Sequence, residues 1–139
     1  MTSYISLPQY GATIDERLRL VAGECAACGR LVYPRRQVCP GCGADAFAER
    51  PLSGRGEIYS FTVILGATVP SEFDLEQQMT GDVCVAVVAL EEGPRMIARL
   101  ADADPAALSI GQPVEARVRR LYDQEGVLRY GLKFVPRGN

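Results

Sequence analysis

The chain has 139 residues, a formal net charge of −2 and a pI near 5.2, and 47% of its residues are apolar. That suffices to bury the core of one domain, or two very small ones, without disulfides, and the mild acidity argues against a nucleic-acid partner. There is no His and no Trp, which removes the commonest acid–base group near neutral pH and excludes Ser–His and Cys–His nucleophile pairs within the chain.

Residues 1–16 read as an arm with Tyr4, Ile5, Leu7, Pro8 and Tyr10. It carries neither a long apolar stretch nor a basic start, so no secretory signal is expected, and the longest apolar run, Val83 to Leu90, is far short of the ~20 residues a membrane helix needs. The expectation is a cytoplasmic protein with no membrane partner. Thr13 to Glu16 could cap a short helix; the alternation of Leu18, Leu20 and Ala22 with Arg17, Arg19 and Val21 favours a strand instead.

Residues 17–53 form the next unit. Within it stand Cys25-Ala26-Ala27-Cys28-Gly29 and, with ten residues between Cys28 and Cys39, Cys39-Pro40-Gly41-Cys42-Gly43. Each C-x-x-C places two thiolates on one turn, and the following Gly tolerates the positive φ such a turn needs. Two turns facing each other give a tetrahedral four-sulfur site, which points to structural zinc on Cys25, Cys28, Cys39 and Cys42. A one-iron site of the rubredoxin kind is the rival for the same ligands. A closed four-thiolate site leaves no open position for hydrolytic chemistry. Residues 44–53 read as a linker.

Residues 54–139 read as strands: Glu57 to Ile64, Asp82 to Leu90, Arg95 to Leu100, Val114 to Tyr122 and Val127 to Val135. A polar loop, 66–81, follows the first, and a connector with one helical turn, Asp104 to Gly111, precedes the fourth. Five strands so connected suggest a closed OB-type barrel. The fold class is therefore mostly β, a rubredoxin-like zinc ribbon followed by a five-stranded OB-fold. Cys84, inside an apolar strand with no His to activate it, reads as a small buried hydrophobe.

Two charge features bear on partners. Loop 66–82 holds Glu72, Asp74, Glu76 and Asp82 without a cation, the wrong sign for gripping phosphates from an OB-fold. In the last hairpin, strand alternation places Arg129, Gly131 and Lys133 on one face with Arg117 and Arg119, and Leu128, Tyr130, Leu132 and Phe134 on the other. The plain reading is a solvated outer face; the functional one is an anion site for a phosphorylated ligand, with the bare Gly131 leaving it room.

The run Leu18-Arg19-Leu20-Val21-Ala22-Gly23 into Cys-x-x-Cys-Gly, then Tyr33-Pro34-Arg35, Cys-Pro-x-Cys-Gly and Ser53-Gly54-Arg55-Gly56-Glu57-Ile58-Tyr59-Ser60-Phe61-Thr62, with the apolar strand before Glu91-Glu92-Gly93, closely resembles the zinc-ribbon-plus-OB-fold proteins first catalogued as a domain of unknown function. The resemblance covers nearly the whole chain, with Tyr33 in place of the commoner Pro. It implies a non-catalytic accessory subunit that docks on a thiolase-superfamily enzyme (a thiolase, an acyl-CoA condensing enzyme or a retro-aldolase), stabilises it and helps enclose CoA or acyl-CoA. Arg117, Arg119, Arg129 and Lys133 are then the candidate CoA contacts. The alternative is a zinc-ribbon OB-fold nucleic-acid binder.

Overall fold

The computed structural model describes residues 18–66, 77–78, 81–124 and 126–138. Two sheets make up the fold. The first is small, with order β2-β1-β3, from β1 (Val21–Cys25), β2 (Leu31–Val32) and β3 (Phe47–Pro51). The second has order β6-β5-β4-β7-β8, from β4 (Arg55–Ile64), β5 (Val83–Leu90), β6 (Arg95–Arg99), β7 (Pro113–Gln124) and β8 (Val127–Pro136). All its pairings are antiparallel. Its two ends meet where Leu100 and Phe134 form a parallel bridge and the Ala101 N–H donates to the Phe134 carbonyl over 2.9 Å. That closure yields the five-stranded OB-type barrel expected from the strand pattern.

The barrel encloses its own core. Along β5, Cys84, Ala86, Val88 and Leu90 are buried while the residues between them are partly exposed, the period-2 signature of a sheet with one face inside. They meet Ile58, Ala98, Leu100, Val114 and Phe134, and Ile58, Val88, Val114 and Phe134 are wholly inaccessible. At Gly56 a Cβ would lie 2.5 Å from the Ala89 carbonyl oxygen, so the β4–β5 approach there admits only glycine.

The ribbon leans on the barrel. Leu20 belongs to the barrel core and Tyr33 packs against it. The Leu52 N–H donates to the Leu20 carbonyl over 2.9 Å. Ser53 donates its N–H to Glu92 over 2.6 Å and its hydroxyl to Glu91 over 3.0 Å, and Arg55 Nε joins Glu91 at 3.1 Å. The Ser53-Gly54-Arg55 and Glu91-Glu92-Gly93 motifs, far apart in sequence, are therefore the two halves of one clasp.

Three expectations change. Residues 44–53 are not a linker, because Phe47–Pro51 pairs residue for residue with β1. Leu18 is helical and β1 begins only at Val21, so the strand expected from Leu18 starts three residues later. The last hairpin also overreaches the barrel. β4 holds β7 only at Pro113 to Glu115, and beyond that Val118, Leu128 and Tyr130, expected inside, are 49%, 41% and 46% exposed. The connector's helical turn is present as Pro105–Ala107, capped by Asp104, whose carboxylate accepts the Ala106 N–H at 3.0 Å. The arm 1–16 and most of loop 66–82 lie outside the described residues; Asp82 accepts the Gly66 N–H across the loop's base at 3.2 Å. Among the described residues no helix is long and apolar enough to cross a membrane.

Candidate metal centre and cationic hairpin

The two cysteine turns are built alike. Cys25 and Cys39 each donate their N–H to the carbonyl five residues on, Arg30 and Ala44, at 2.9 and 2.8 Å. Each accepts at its own carbonyl the N–H of the glycine four residues on, Gly29 and Gly43, at 2.8 and 2.9 Å. Those glycines sit at φ 72° and 78°, where a Cβ would be strained. The repeated C-x-x-C-G spelling is thus one local geometry used twice.

Folding of β1, β2 and β3 brings the turns together. All four Sγ atoms lie within 4.8 Å of one another. Cys25 and Cys42 are 3.6 Å apart at sulfur, and Cys28 and Cys39 are 3.7 Å apart. A tetrahedron with metal–sulfur bonds of ~2.3 Å has edges of about 3.8 Å, so the sulfurs already stand at the corners a metal needs. Cys25 and Cys39, one from each turn, are buried, and Cys28 and Cys42 face outward.

The electrostatics ask for a cation. The Cys25 thiol is lowered to about 6, first by the Cys28 N–H and then by the Ala27 N–H, against the cost of burial. Cys39 is lowered chiefly by the Gly41 N–H, which reaches its sulfur at 3.4 Å. The Ala44 N–H lowers Cys42, yet the neighbouring thiols and desolvation outweigh it and push that group up to about 12. Four sulfurs this close cannot all ionise without positive charge between them. Zinc supplies it, and these residues fit a closed structural site.

One residue of this centre went unread in the sequence. A Cβ on Gly41 would lie 3.1–3.2 Å from the Arg30 guanidinium, so the guanidinium rests against the second cysteine turn. Its charge has the sign that would offset the net negative charge of four thiolates around a divalent ion. No spacing rule announces such a residue.

The hairpin cations are brought onto one face, but unequally. The register sets Arg117 opposite Lys133 and Arg119 opposite Gly131, and strand alternation adds Arg129. Arg117 pairs with Glu115 at 2.7 Å and Arg119 with Asp102 at 2.7 Å. Lys133 is 3% exposed, so this face is not the open row of cations that alternation alone suggested. Asp102 holds φ 52°, a costly conformation for a non-glycine residue, and its carboxylate fastens the connector onto β7. The room expected over Gly131 is filled: a Cβ there would lie 2.9 Å from Leu121 Cδ1. The register slips between Arg120 and Tyr122, and this bulge swings Leu121 over the glycine. Arg119 and Lys133 do share an open cleft of about 480 Å³ with Arg120, Asp82, Asp102 and the buried Cys84. Burial, and then Asp82, raise the Cys84 thiol, as suits an inert core sulfur.

A four-cysteine ribbon clasped to a five-stranded barrel defines a zinc-ribbon OB-fold protein. Residues 14–48 match the model of the ChsH2 rubredoxin-like zinc ribbon domain, and residues 49–119 match that of the ChsH2 C-terminal OB-fold domain. The chain belongs to this ChsH2 family of zinc-ribbon and OB-fold proteins, whose relatives include DUF35 domain-containing scaffold proteins. One of these, from Pyrococcus furiosus, is 33% identical over 95% of this chain and 93% of its own length. The benzoylsuccinyl-CoA thiolase subunit BbsA of Thauera aromatica is 30% identical over 88% of this chain and 81% of its own. Among solved structures, a chain of an Ltp2–ChsH2(DUF35) aldolase superposes with a TM-score of 0.69 at 26% identity, covering 97% of this chain and 98% of that one.

Proposed function

We propose that this chain is a non-catalytic scaffold subunit for a thiolase-superfamily enzyme acting on acyl-CoA. One observation carries the reading: essentially the whole chain superposes on a subunit of an Ltp2–ChsH2(DUF35) aldolase. The names of the relatives, a scaffold protein and a subunit of a benzoylsuccinyl-CoA thiolase, agree with it. So does the chemistry. There is no His, the four-cysteine centre is coordinatively closed, and the fifth cysteine is buried with its thiol raised. Among the described residues there is no activated nucleophile and no open Lewis-acid site to turn on a thioester.

The cationic hairpin gives this scaffold a second task, that of helping hold CoA. Arg117, Arg119, Arg129 and the buried Lys133 share a face, and the accessible guanidinium groups make paired hydrogen bonds to phosphate oxygens. Arg117 and Arg119 are paired with Glu115 and Asp102 at the exposed surface, and a doubly charged phosphate competes with those single carboxylates. A cytoplasmic location agrees with this substrate class.

The experiment is direct. Assayed alone, the chain has no thiolase, aldolase or hydrolase activity. Co-expressed with the thiolase-superfamily enzyme of its own operon, it co-purifies and raises that enzyme's soluble yield. A chain that turns over an acyl-CoA by itself, or one that never co-purifies, contradicts the proposal. Binding of single-stranded nucleic acid at physiological salt favours the nucleic-acid alternative.

A further inference from the structure

Among the described residues the barrel seam is closed at one end, and at the other end β6 turns backbone groups outward. In β6, Pro94 and Leu100 share hydrogen bonds with β5: the Leu90 N–H donates to the Pro94 carbonyl and the Leu100 N–H to the Cys84 carbonyl, both at 2.9 Å. The register Arg95↔Ala89, Ile97↔Val87, Arg99↔Val85 then makes the even-numbered residues the hydrogen-bonded pairs with β5. The backbone N–H and C=O groups of Arg95, Ile97 and Arg99 therefore turn to the far edge. That edge meets β8 only at the bridge between Leu100 and Phe134 and the hydrogen bond from Ala101. Ahead of it, Arg95 and Ile97 have no backbone partner on this side among the described residues.

Two side chains of the same stretch, Arg95 and Ile97, are exposed beside it. Arg95 lies over the Tyr59 ring, 3.9 Å from its centroid, which fixes both on the barrel's outer face. Ile97, two residues along, shares that face and is 75% exposed, the most exposed large apolar residue described. Tyr59, half-exposed, sits at the register shift between Ile58 and Ser60, a bulge of the kind that re-aims a side chain. An apolar centre with arginine and tyrosine beside it has the composition of a binding hot spot.

Charge selects the occupant. A second copy pairing antiparallel about Ile97 would set Arg95 opposite Arg99 at both ends, and like charges directly opposite destabilise a strand pair. The arginines thus blunt the edge against its own kind, as edge strands require. A strand with a carboxylate opposite Arg95 meets the opposite outcome.

We infer that β6 is a docking edge at which an extended segment of the partner enzyme, carrying an apolar residue and an Asp or Glu two residues from it, adds as a sixth strand. This rests on the scaffold reading above and deepens it by naming the surface and the chemistry it recognises. The apolar residue of the incoming strand lies against Ile97, its carboxylate pairs with Arg95, and its backbone takes the outward groups of Arg95 and Ile97.

The test uses the full chain with the thiolase-superfamily enzyme of its operon, and affinity is read by isothermal titration calorimetry. Ile97→Pro removes an N–H that β5 does not use, and proline is tolerated where an edge N–H faces outward. Ile97→Ala removes the side chain and keeps the N–H. The proposal expects Ile97→Pro to bind about tenfold or more weaker than Ile97→Ala, and Arg95→Glu to bind about tenfold or more weaker than wild type, with zinc content and thermal melt of each chain unchanged. Should Ile97→Pro misfold, Arg95→Glu alone decides. Equal losses for Ile97→Pro and Ile97→Ala indicate docking through side chains only and overturn strand addition. Wild-type affinity in Arg95→Glu overturns it too. A concentration-dependent homodimer abolished by Ile97→Pro makes the second copy the occupant, which also overturns it. If the wild-type chain itself fails to bind the enzyme, the scaffold reading falls and takes this inference with it.

Discussion

Removing the metal tests how this chain divides its stability. In the ribbon sheet and its cysteine turns the buried side chains are those of Ala22, Cys25, Val32 and Cys39, so half of that small core consists of ligand residues. A structural zinc of this kind contributes on the order of 10–16 kcal/mol to folding, comparable to or above the whole stability of an ordinary domain, about 5–15 kcal/mol. Without metal, residues 21–51 cannot hold their sheet. The barrel keeps its core of Ile58, Cys84, Ala86, Val88, Leu90, Val114 and Phe134 and remains folded. Cys39→Ser makes the same point more locally: it removes a ligand that is 2% exposed and leaves its partner sulfur Cys28, 3.7 Å away, without its metal. The assay is amide hydrogen exchange read by mass spectrometry on zinc-loaded, chelator-treated and Cys39→Ser protein, with metal content measured in parallel. The expected result is one zinc per chain in the wild type, with loss of protection confined to 21–51 when it is removed. A metal-free protein whose ribbon amides stay protected would refute the reasoning; an iron content of one per chain would overturn the choice of zinc.

Other consequences follow from single residues. Phe134 is wholly buried and its backbone closes the barrel onto Leu100 and Ala101. Phe134→Ala should therefore cost about 3–5 kcal/mol and lower Tm by about 10 °C or more while leaving zinc content intact. The Glu91 carboxyl is held below its ordinary value of 4.5, first by the Ser53 hydroxyl and then by the Arg55 guanidinium. A depressed native value means that its contribution is complete above about pH 4.5 and is lost as pH falls through the lower native value. The stability gap between wild type and Glu91→Gln in urea titrations should thus be constant near neutrality and shrink below that pH; a gap that widens in acid contradicts the clasp. For the hairpin, changing Arg117 and Arg129 together to Ala should raise the partner enzyme's KM for acyl-CoA with kcat much less affected, as when uniform binding is lost. An unchanged KM in an intact complex returns these residues to solvated surface.

The metal site was legible because its ligands are a spacing: two identical cysteine turns fold locally before any tertiary contact is needed. The barrel strands were legible because their apolar periodicity is long and their turns carry Gly or Asp, as at Gly93-Pro94 and Asp123 to Gly126. β3 was invisible for the opposite reason. Phe47 to Pro51 is mostly exposed and its partner is the short ribbon strand β1, so no burial is written into its alternation. The hairpin misled by half. Alternation correctly separates Lys133 from Phe134, but it carries no information on where the barrel ends, hence the exposed Val118 and Tyr130. Nor does it reveal that the stretch Leu100 to Pro105 comes to lie beside Lys133 in a common cleft. Gly131 looked like space reserved for a ligand. A bulge that no sequence rule announces gives that space to Leu121.

The central claim, that this chain works only through a partner, is tested most directly by the partner's activity. The thiolase-superfamily enzyme of the same operon is purified alone, this chain is added back in increasing amounts, and acyl-CoA turnover is followed together with the mass of the complex by light scattering. The account predicts that activity rises and saturates at the stoichiometry of the complex, while the added chain alone stays inactive. Full activity of the enzyme without this chain, and no change in mass on mixing, would contradict it.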